Sequence, residues 1–477
     1  MEEAVLVGRK KCKKPNVVFI MADDLGEWAM GCSGNQEIHT PNLDRIAAEG
    51  MRFTHFFCAS PVCSPARASL LTGRIPSQHG IHDWLRDGNA PGAAAIEYLQ
   101  GQKGYTEVLA ADGYRCGLAG KWHLGHSARP QQGHRDWYVH QEGGGPYYRA
   151  PMLRDGRPYT EPRYVTDAIT EQALQFLDDY CARDAPFYLG IHYTAPHSPW
   201  DRDQHPESVW SRYEACPFDS VPEQPLHPWQ IDSAPHGEGE VRRALLSGYY
   251  TAVTAMDIGI GKVLDQLERS DLRDDTLLIF TSDNGMNMGH HGIWGKGNGT
   301  FPQNMFDTSV KVPFLVRHPG IVPEGTVCDA LVSGYDFMPT LLDYLGVNHQ
   351  ADDSLPGVSF APLLAGRPAD PDSCVVVHDE YGPVRMIRTR AWKYVHRYPY
   401  GPHELYDLAA DPGERTNRID DPQLEGVRAS LTAQLEQWFV RHADPSLDGV
   451  RMPVTGKGQL TRAGTAGNGA KAFADLN

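Results

Sequence analysis

The 477-residue chain lacks any long apolar run, and this absence argues against an integral membrane protein. No stretch approaches the roughly 20 consecutive apolar residues that a membrane-spanning helix requires. The basic stretch GRKKCKKPN (8–16) is followed only by VVFIMA, which is much shorter than the apolar core of a secretory signal. We therefore expect a soluble, cytoplasmic chain without membrane contact, or a periplasmic or secreted one if a leader has been removed.

Paired cysteines and an excess of positive charge are also missing. The nine cysteines are widely scattered and form no Cys-x-x-Cys pair, which disfavours a disulfide framework and a zinc site. We expect most of them to be small buried side chains. Acidic residues outnumber basic ones by 60 to 44, and the net charge of −16 repels nucleic acid. An anionic substrate must therefore be held by local cations.

Nucleotide-binding motifs are absent as well. The sequence contains no Walker loop and no dinucleotide fingerprint. The segment GIGKVL (259–264) lies inside a predicted helix, so we interpret its glycines as points of close packing.

Strand-like and helix-like segments alternate along the chain. NVVFIMA (16–22) is a continuous apolar run, typical of a strand buried on both faces of a parallel sheet. Thr40 and Pro41 then begin a predicted helix that ends at Gly50. Further helix-then-strand pairs are predicted at 106–120, 165–193 and 241–282. The alternation predicts an α/β fold with a large, mostly parallel sheet flanked by helices.

Two regions depart from this alternation. Residues 195–240 have no clear period and are predicted to form a long functional loop. Beyond residue 370, CVVVHDE, RMIRTRAWKYVHRY and ELYDL predict short antiparallel strands, followed by a helix near 422–441. We divide the chain into a main α/β domain, 1–370, and a smaller α+β subdomain, 371–477. The tail after about residue 450 is expected to be loosely held.

Oxygen-bearing side chains follow two of the predicted strands. Asp23 and Asp24 end VVFIMADD, and Asp283 and Asn284 end TLLIFTSDN. Open α/β sheets bind ligands at the carboxyl ends of their strands. Three carboxylates placed together would repel one another unless a cation lay between them, and oxygen ligands favour calcium or magnesium. Either pair alone is equally consistent with an ordinary turn, but the two together predict a divalent metal site.

CSPARASLLTG (63–73) is a third feature, in which Cys63 precedes a predicted helix. Arg67 lies one turn further on the same helix face, and the amides at the helix N-terminus favour negative charge near residue 63. A thiolate nucleophile is one interpretation. It would be an unusual neighbour for a hard, oxygen-seeking metal.

These motifs resemble those of the type I, formylglycine-dependent sulfatases of the alkaline phosphatase superfamily. CSPARASLLTG is similar to the signature Cys-x-Pro-x-Arg, and GYRCGLAGKWHLG (113–125) resembles the second signature of that family. The metal pairs, APHSPW (195–200), GIWGKGNGT (292–300) and the KYVHRY to ELYDLAADPGE region follow in the family's order. The resemblance spans nearly the whole chain and implies an arylsulfatase-like hydrolase that cleaves a sulfate monoester.

The resemblance also implies the cofactors. A maturation enzyme would convert Cys63 to formylglycine, and one hydroxyl of its hydrate would attack sulfur while the other later expels sulfate. The implied metal is calcium, or magnesium in some relatives. Its implied ligands are Asp23, Asp24, residue 63, Asp283 and Asn284.

Roles for the remaining site residues follow from the same resemblance. Arg67 would steady the hydrated aldehyde, and His123 would take the proton of its second hydroxyl. Lys121 would bind a sulfate oxygen. His197 and Lys296 would bind the remaining oxygens, and one of them would protonate the leaving alcohol.

The chain departs from the family pattern at a few positions. Ala66 stands where many relatives have serine, and Phe306 and Asp307 replace a Tyr-Glu pair, which leaves the role of those two positions open. A phosphonate monoester or phosphodiester hydrolase on the same scaffold is one alternative. A non-catalytic binder of sulfated sugars, with Cys63 unmodified, is another.

The organic half of the substrate is less determined. We expect a sulfated sugar or a small organic or aryl sulfate. Stretches that could line its pocket are HDWLR (82–86), GGGPYYR (143–149), Trp200 with Asp201, and His290 with His291. The sequence leaves the oligomeric state open.

Overall fold

The computed structural model describes residues 14–348, 352–370 and 372–475, so most of the basic stretch at 8–16 lies outside the described residues. The strands are β1 (Asn16–Asp23), β2 (Met51–Phe57), β3 (Arg115–Gly120), β4 (His134–His140), β5 (Ala150–Arg154), β6 (Arg157–Glu161), β7 (Phe187–Pro196), β8 (Thr276–Ser282), β9 (Asn287–Met288), β10 (Trp294–Gly295), β11 (Lys311–Arg317), β12 (Thr326–Cys328), β13 (Val332–Ser333), β14 (Val375–Asp379), β15 (Val384–Arg388), β16 (Trp392–Arg397) and β17 (Glu404–Asp407). The α-helices are α1 (Pro41–Ala48), α2 (Cys63–Thr72), α3 (Pro76–His79), α4 (Tyr105–Ala111), α5 (Val165–Cys181), α6 (Glu207–Trp210), α7 (Gly239–Arg269), α8 (Asp307–Val310), α9 (Phe337–Tyr344), α10 (Ala361–Leu364) and α11 (Glu425–His442).

One large sheet organises the molecule, in the order β12-β2-β11-β8-β1-β7-β3-β4-β5-β6, with β13 also paired to β2. Its centre, from β8 through β1, β7 and β3 to β4, is parallel throughout. Strand β11 runs antiparallel to both of its neighbours. The predicted large, mostly parallel sheet flanked by helices is confirmed.

Strand β1 lies at the centre and is buried over its whole length, as its continuous apolar sequence predicted. Alternate side chains point to opposite faces of the sheet. Val17, Phe19 and Met21 join a core that also includes residues of α2, α4 and α9. Val18 and Ile20 join a second core with α5 and α7. Strand β1 is therefore held between two hydrophobic cores, one on each face of the sheet.

The long helix α7 covers one face of this sheet and packs closely on α1 and α5. A Cβ added at Gly259 would lie 2.5 Å from Oγ1 of Thr170, and one at Gly261 would lie 2.8 Å from the side chain of Asn42. The glycines of GIGKVL are therefore points of close packing, as predicted. Among the described residues, no helix is long and apolar enough to cross a membrane.

Strands β14 to β17 form a separate four-stranded antiparallel sheet, and α11 follows it, as predicted. The expectation for the tail is wrong, because part of it is firmly packed. Gln459 is fully buried and Phe473 is 2% exposed. Backbone hydrogen bonds tie residues 458–460 to Trp84, Arg86 and Ala472.

The expectation that most cysteines are buried also needs correction. Eight cysteines lie in the described residues, and all eight are free. Cys58, Cys63 and Cys116 are buried, whereas Cys181 and Cys374 are exposed and the remaining three are half-buried. A small side chain is tolerated at the surface as readily as in the core, so residue type alone did not decide the burial.

Candidate active site

The two predicted pairs of oxygen-bearing residues meet because β1 and β8 are adjacent parallel strands in register. The amide Nδ2 of Asn284 donates to Oδ1 of Asp24 over 2.8 Å. The backbone amide of Asp24 donates to Oδ1 of Asp283 over 3.2 Å. All four side chains are buried, and Asp24 has a positive φ of 68° that turns the chain at the strand end. The strand ends thus form one cluster of oxygen atoms.

This cluster has the features of a site for a hard cation. Oδ1 of Asp23 and Oδ1 of Asn284 are buried without a hydrogen-bond partner, although buried polar atoms are normally paired. Ligand atoms of Asp23, Asp24 and Cys63 lie within 4.8 Å of one another. Burial raises the pKa of Asp23, and the neighbouring carboxylates add to this effect against the opposing Lys121. A divalent cation would satisfy the free oxygens and offset that repulsion.

Cys63 is the first residue of α2 and is 4% exposed. Its Sγ lies 2.8 Å from Nζ of Lys296. Burial raises the pKa of this thiol to about 12, even though Lys121 and Lys296 favour the thiolate. Burial therefore disfavours the thiolate form of the coded side chain.

Three buried cations surround the carboxylates. Nε of Arg67 donates to Oδ2 of Asp283 over 2.8 Å, and Nζ of Lys121 donates to Oδ2 of Asp23 over 2.6 Å. The third cation, Lys296, donates to Oδ1 of Asp24 over 2.6 Å.

Each carboxylate of the cluster is thus matched by one cation. Burial opposes the charged form of Lys296, but the adjacent carboxylate of Asp24 raises the pKa of that lysine well above its usual value. A divalent cation would give the site a net positive charge. Such a site favours a sulfate ester and the negative charge that builds up as sulfate leaves.

His123 lies near this centre, in the segment after β3, where its φ of 53° places the backbone in the left-handed region. Nε2 of His123 lies 3.1 Å from the carbonyl oxygen of Leu85, which can only accept a hydrogen bond. The proton is therefore on Nε2, and the buried Nδ1, which has no partner, is a free acceptor. Burial, reinforced by Lys121, lowers the pKa of His123 well below its usual value and keeps the ring neutral.

His197 lies at the more open side of the site, with its side chain 28% exposed. Nδ1 of its ring is 2.8 Å from the carbonyl oxygen of Ser198 and therefore carries a proton. Nε2 faces Oδ2 of Asp24 at 3.7 Å. Nε2 is therefore the ring nitrogen that can exchange a proton with a group bound on the open side.

The ten site residues predicted from the sequence therefore lie together, although they come from six separate stretches of the chain. The stretches predicted to line the substrate pocket behave less uniformly. Trp200 is 4% exposed, and its Nε1 donates to the carbonyl of Pro196 over 2.8 Å, so it supports the loop that carries His197. His291 stacks on Phe306 with ring centroids 3.9 Å apart. Both side chains are thus engaged in packing or support rather than free to contact a substrate.

Two contacts were missed by sequence reasoning because they involve the backbone or the lack of a side chain. The carbonyl of Leu85 accepts the hydrogen bond of His123. A Cβ at Gly143 would lie 2.2 Å from Cε1 of His123, so only glycine fits this position without displacing the ring. Leu85 lies in HDWLR and Gly143 lies in GGGPYYR, two stretches that were predicted to line the substrate pocket. Neither sequence indicates that the residue contacts His123.

The sheet, the carboxylates at its strand ends and the buried cations define a hydrolase of the alkaline phosphatase-like class. The Sulfatase family model matches residues 15–347. A second model, N-sulphoglucosamine sulphohydrolase, C-terminal, matches residues 289–441. The chain belongs to the sulfatase family, and it is a sulfuric ester hydrolase.

Individual relatives agree with this assignment. A choline-sulfatase of Rhizobium meliloti is 31% identical over 88% of this chain and 85% of the relative. An N-acetylglucosamine-6-O-sulfatase of Bacteroides thetaiotaomicron is 27% identical over 92% of this chain and 89% of the relative. A solved structure in complex with its substrate D-glucosamine-2-N,6-O-disulfate covers 91% of this chain and 99% of that chain, with 25% identity and a TM-score of 0.74.

A phosphonate monoester hydrolase of Agrobacterium radiobacter has a similar fold. Its solved structure has a TM-score of 0.69 and 23% identity, over 90% of this chain and 96% of that chain. At this identity the likeness concerns the fold alone. The reaction is indicated by the sulfatase relatives.

Proposed function

We propose that this sulfatase works through a formylglycine made from Cys63, with calcium or magnesium held by Asp23, Asp24, Asp283 and Asn284. The observation that carries the proposal is the state of the coded thiol. It is buried, its pKa is raised to about 12, and it stands beside oxygen atoms that lack partners. A neutral thiol is a weak nucleophile, whereas an oxygen nucleophile at residue 63 suits a hard cation.

The two implied groups supply chemistry that this chain does not encode. A hydrated formylglycine offers an oxygen nucleophile and a second hydroxyl through which sulfate can be released, and a divalent cation polarises oxygen atoms. The chain's own cations bind and orient the ester. Lys121 and Lys296 would bind sulfate oxygens, while Arg67 holds Asp283 and lines the same centre.

The two histidines have different proton roles in this proposal. His123 is neutral with a free Nδ1, so it accepts a proton from residue 63 during release of sulfate. His197 stands at the open side beside Asp24 and delivers a proton from Nε2 to the leaving alcohol. The acceptor is enclosed, and the donor faces the side from which substrate enters.

A sulfated sugar is the substrate that we propose. Relatives named for N-acetylglucosamine-6-O-sulfate and for ulvan support it, while the choline-sulfatase keeps a small organic sulfate as the competing candidate. The net charge of −16 weighs against a long polysulfated chain and favours a small ester or a saccharide end.

Peptide mass spectrometry and a substrate panel test the proposal together. The peptide containing residue 63 should be lighter than its coded mass and should resist thiol alkylation. Cys63→Ala should abolish turnover of sugar sulfates while the melting temperature stays close to that of the parent. An intact, alkylatable thiol in fully active protein would refute the mechanism, and a higher kcat/KM on an aryl phosphodiester than on every sulfate would refute the substrate class.

A further inference from the structure

Leu85 contacts two parts of the catalytic centre through its backbone. Its amide donates to Oγ of Ser64, the neighbour of Cys63, over 3.2 Å. Its carbonyl accepts the hydrogen bond from Nε2 of His123. The residue is 1% exposed. The position of one peptide segment therefore affects both the start of α2 and the orientation of the histidine ring.

The C-terminal tail holds this segment in place. Gln459 forms a parallel β-bridge with Leu85, its amide donates to the carbonyl of Trp84 over 2.8 Å, and its carbonyl accepts from the amide of Arg86 over 3.0 Å. A second bridge joins Gln459 to Phe473, so the tail doubles back on itself.

The side chain of Gln459 reinforces these backbone contacts. Its Oε1 accepts from the amide of His82 over 2.9 Å. Its Nε2 donates to the carbonyls of Gly80 and Thr461, over 2.9 and 3.0 Å. The side chain is fully buried, and each of its polar atoms is paired. Such a satisfied buried amide fixes one geometry, because any shift would leave polar groups without partners.

The tail lies beyond both regions that the family models match, which end at residues 347 and 441. We propose that residues 455–475 form a strap over residues 80–87 and that Gln459 is a positioning residue for the reaction. Acting through Leu85, it holds Nε2 of His123 as the donor and Nδ1 as the acceptor. This inference rests on the proposed role of His123.

Gln459→Ala tests the strap. The variant loses three side-chain hydrogen bonds but keeps its backbone pairing, so residues 82–86 should become less well placed. Because small misplacements of catalytic groups cost up to about 100-fold in rate, we expect kcat to fall by about 10- to 100-fold while KM changes little. The kcat values are divided by the formylglycine fraction from mass spectrometry. Thr455→Val is the matched control, since the hydroxyl that it removes bonds only to the carbonyl of Ala474 and the amide of Lys457, both within the tail, and the variant should keep the parent kcat.

Gln459→Glu distinguishes a positioning role from a purely structural one through the pH dependence of kcat. When protonated, the introduced carboxyl can still donate to the carbonyl of Gly80. When ionised, it faces two carbonyl oxygens and repels them. The ratio of the variant's kcat to the parent's should therefore fall as pH rises. A ratio that is constant with pH, or a lower melting temperature with unchanged kcat in Gln459→Ala, would overturn the inference.

His123→Ala separates the two proposals. If it lowers kcat and Gln459→Ala does not, the strap is wrong and the role of His123 stands. If His123→Ala keeps the parent kcat, the role of His123 is wrong and the positioning inference falls with it. A fall in both variants, with the pH-dependent ratio in Gln459→Glu, supports both.

Discussion

Asp283 uses both of its oxygens within the protein. Oδ2 accepts from Arg67, and Oδ1 accepts from the backbone amides of Asp24 and Asn284. Burial alone would raise the pKa of this carboxyl, but Arg67 and the two lysines hold it well below its usual range. It therefore stays ionised in the folded protein and contributes a full negative charge to the proposed metal site.

Asp283→Asn removes that charge with little change of shape. The variant keeps one oxygen for the backbone amides but removes the nearer of the two carboxylates that face the Arg67 guanidinium. Affinity for calcium should fall by at least about 10-fold, and sulfate ester hydrolysis should fall with it, since ligand charge sets the affinity of such sites. Isothermal titration with calcium measures the first effect, and a sugar sulfate assay measures the second.

Asp136→Asn is the control for this change, because Asp136 pairs with Arg115 far along the sheet from the site. It should keep the parent's calcium affinity. An unchanged calcium affinity in Asp283→Asn would exclude Asp283 as a ligand.

Strand ends and the segment beginning at Cys63 singled out six of the ten side chains that meet. The other four, Lys121, His123, His197 and Lys296, were predicted from the resemblance to the sulfatases. The roles of Leu85 and Gly143 could not be predicted in this way. One contributes a backbone carbonyl and the other contributes space. Trp200 is a residue type expected in the wall of a substrate pocket, but its indole N–H donates a hydrogen bond to the carbonyl of Pro196 in its own loop.

At the scale of elements, long apolar or strongly periodic segments were predicted well. Strand β1 spans 16–23 against the predicted 16–22, and the pair of α7 and β8 spans 239–282 against the predicted 241–282. The hairpin of β5 and β6 was missed. Its sequence, APMLRDGRPYTE, has few apolar residues, and the hairpin lies at the end of the sheet, where β6 is the edge strand.

Helix α8 shows what the departure at Asp307 does. Oδ1 of Asp307 accepts from Nζ of Lys393 in β16 over 2.6 Å, and Oδ2 lies 3.5 Å from Arg388 in β15. The backbone amide of Asp307 donates to Glu414 over 2.7 Å. The aspartate therefore joins α8 to the C-terminal sheet, and Phe306 beside it supports the His291 ring.

Asp307→Asn should weaken this junction. Lys393 would keep Glu414 as its partner, so we expect a loss of about 1–3 kcal/mol in unfolding free energy rather than the full cost of an unpaired buried charge. Urea unfolding measures the loss. The surface pair of Asp329 and Arg390 also reaches the C-terminal region but is half exposed.

Asp329→Asn is accordingly the matched control for this junction and should cost less than about 1 kcal/mol. Equal losses in Asp307→Asn and Asp329→Asn would contradict a special role for the buried junction.

At the scale of the whole molecule, the excess of negative charge does not extend into the site. The chain carries a net charge of −16, yet Arg67, Lys121 and Lys296 are all buried around one site. The sequence predicted that local cations would be needed, because the overall field repels anions. Burial then strengthens the attraction of each of these cations for an anion, since fewer water molecules screen its charge.

Buried histidines give the molecule a characteristic acid response. Burial lowers the pKa of His82, His140 and His205 to about 4, from an ordinary value of 6.5. Between pH 6.5 and 4 the folded state therefore binds fewer protons than the unfolded state, so their stabilising contribution is present above pH 6.5 and is lost as pH falls. Asp83 and Asp336, whose pKa burial raises to about 7, act in the opposite direction over part of this range.

A histidine variant isolates one of these contributions from the rest. His205 is 4% exposed and lies between the rings of Tyr147 and Trp210. His205→Gln cannot take up a proton, so its unfolding free energy relative to the parent should improve by roughly 2–3 kcal/mol between pH 7.5 and 4.5. Urea unfolding at several pH values measures this difference. A pH-independent difference for His205→Gln would rule out a buried neutral imidazole there.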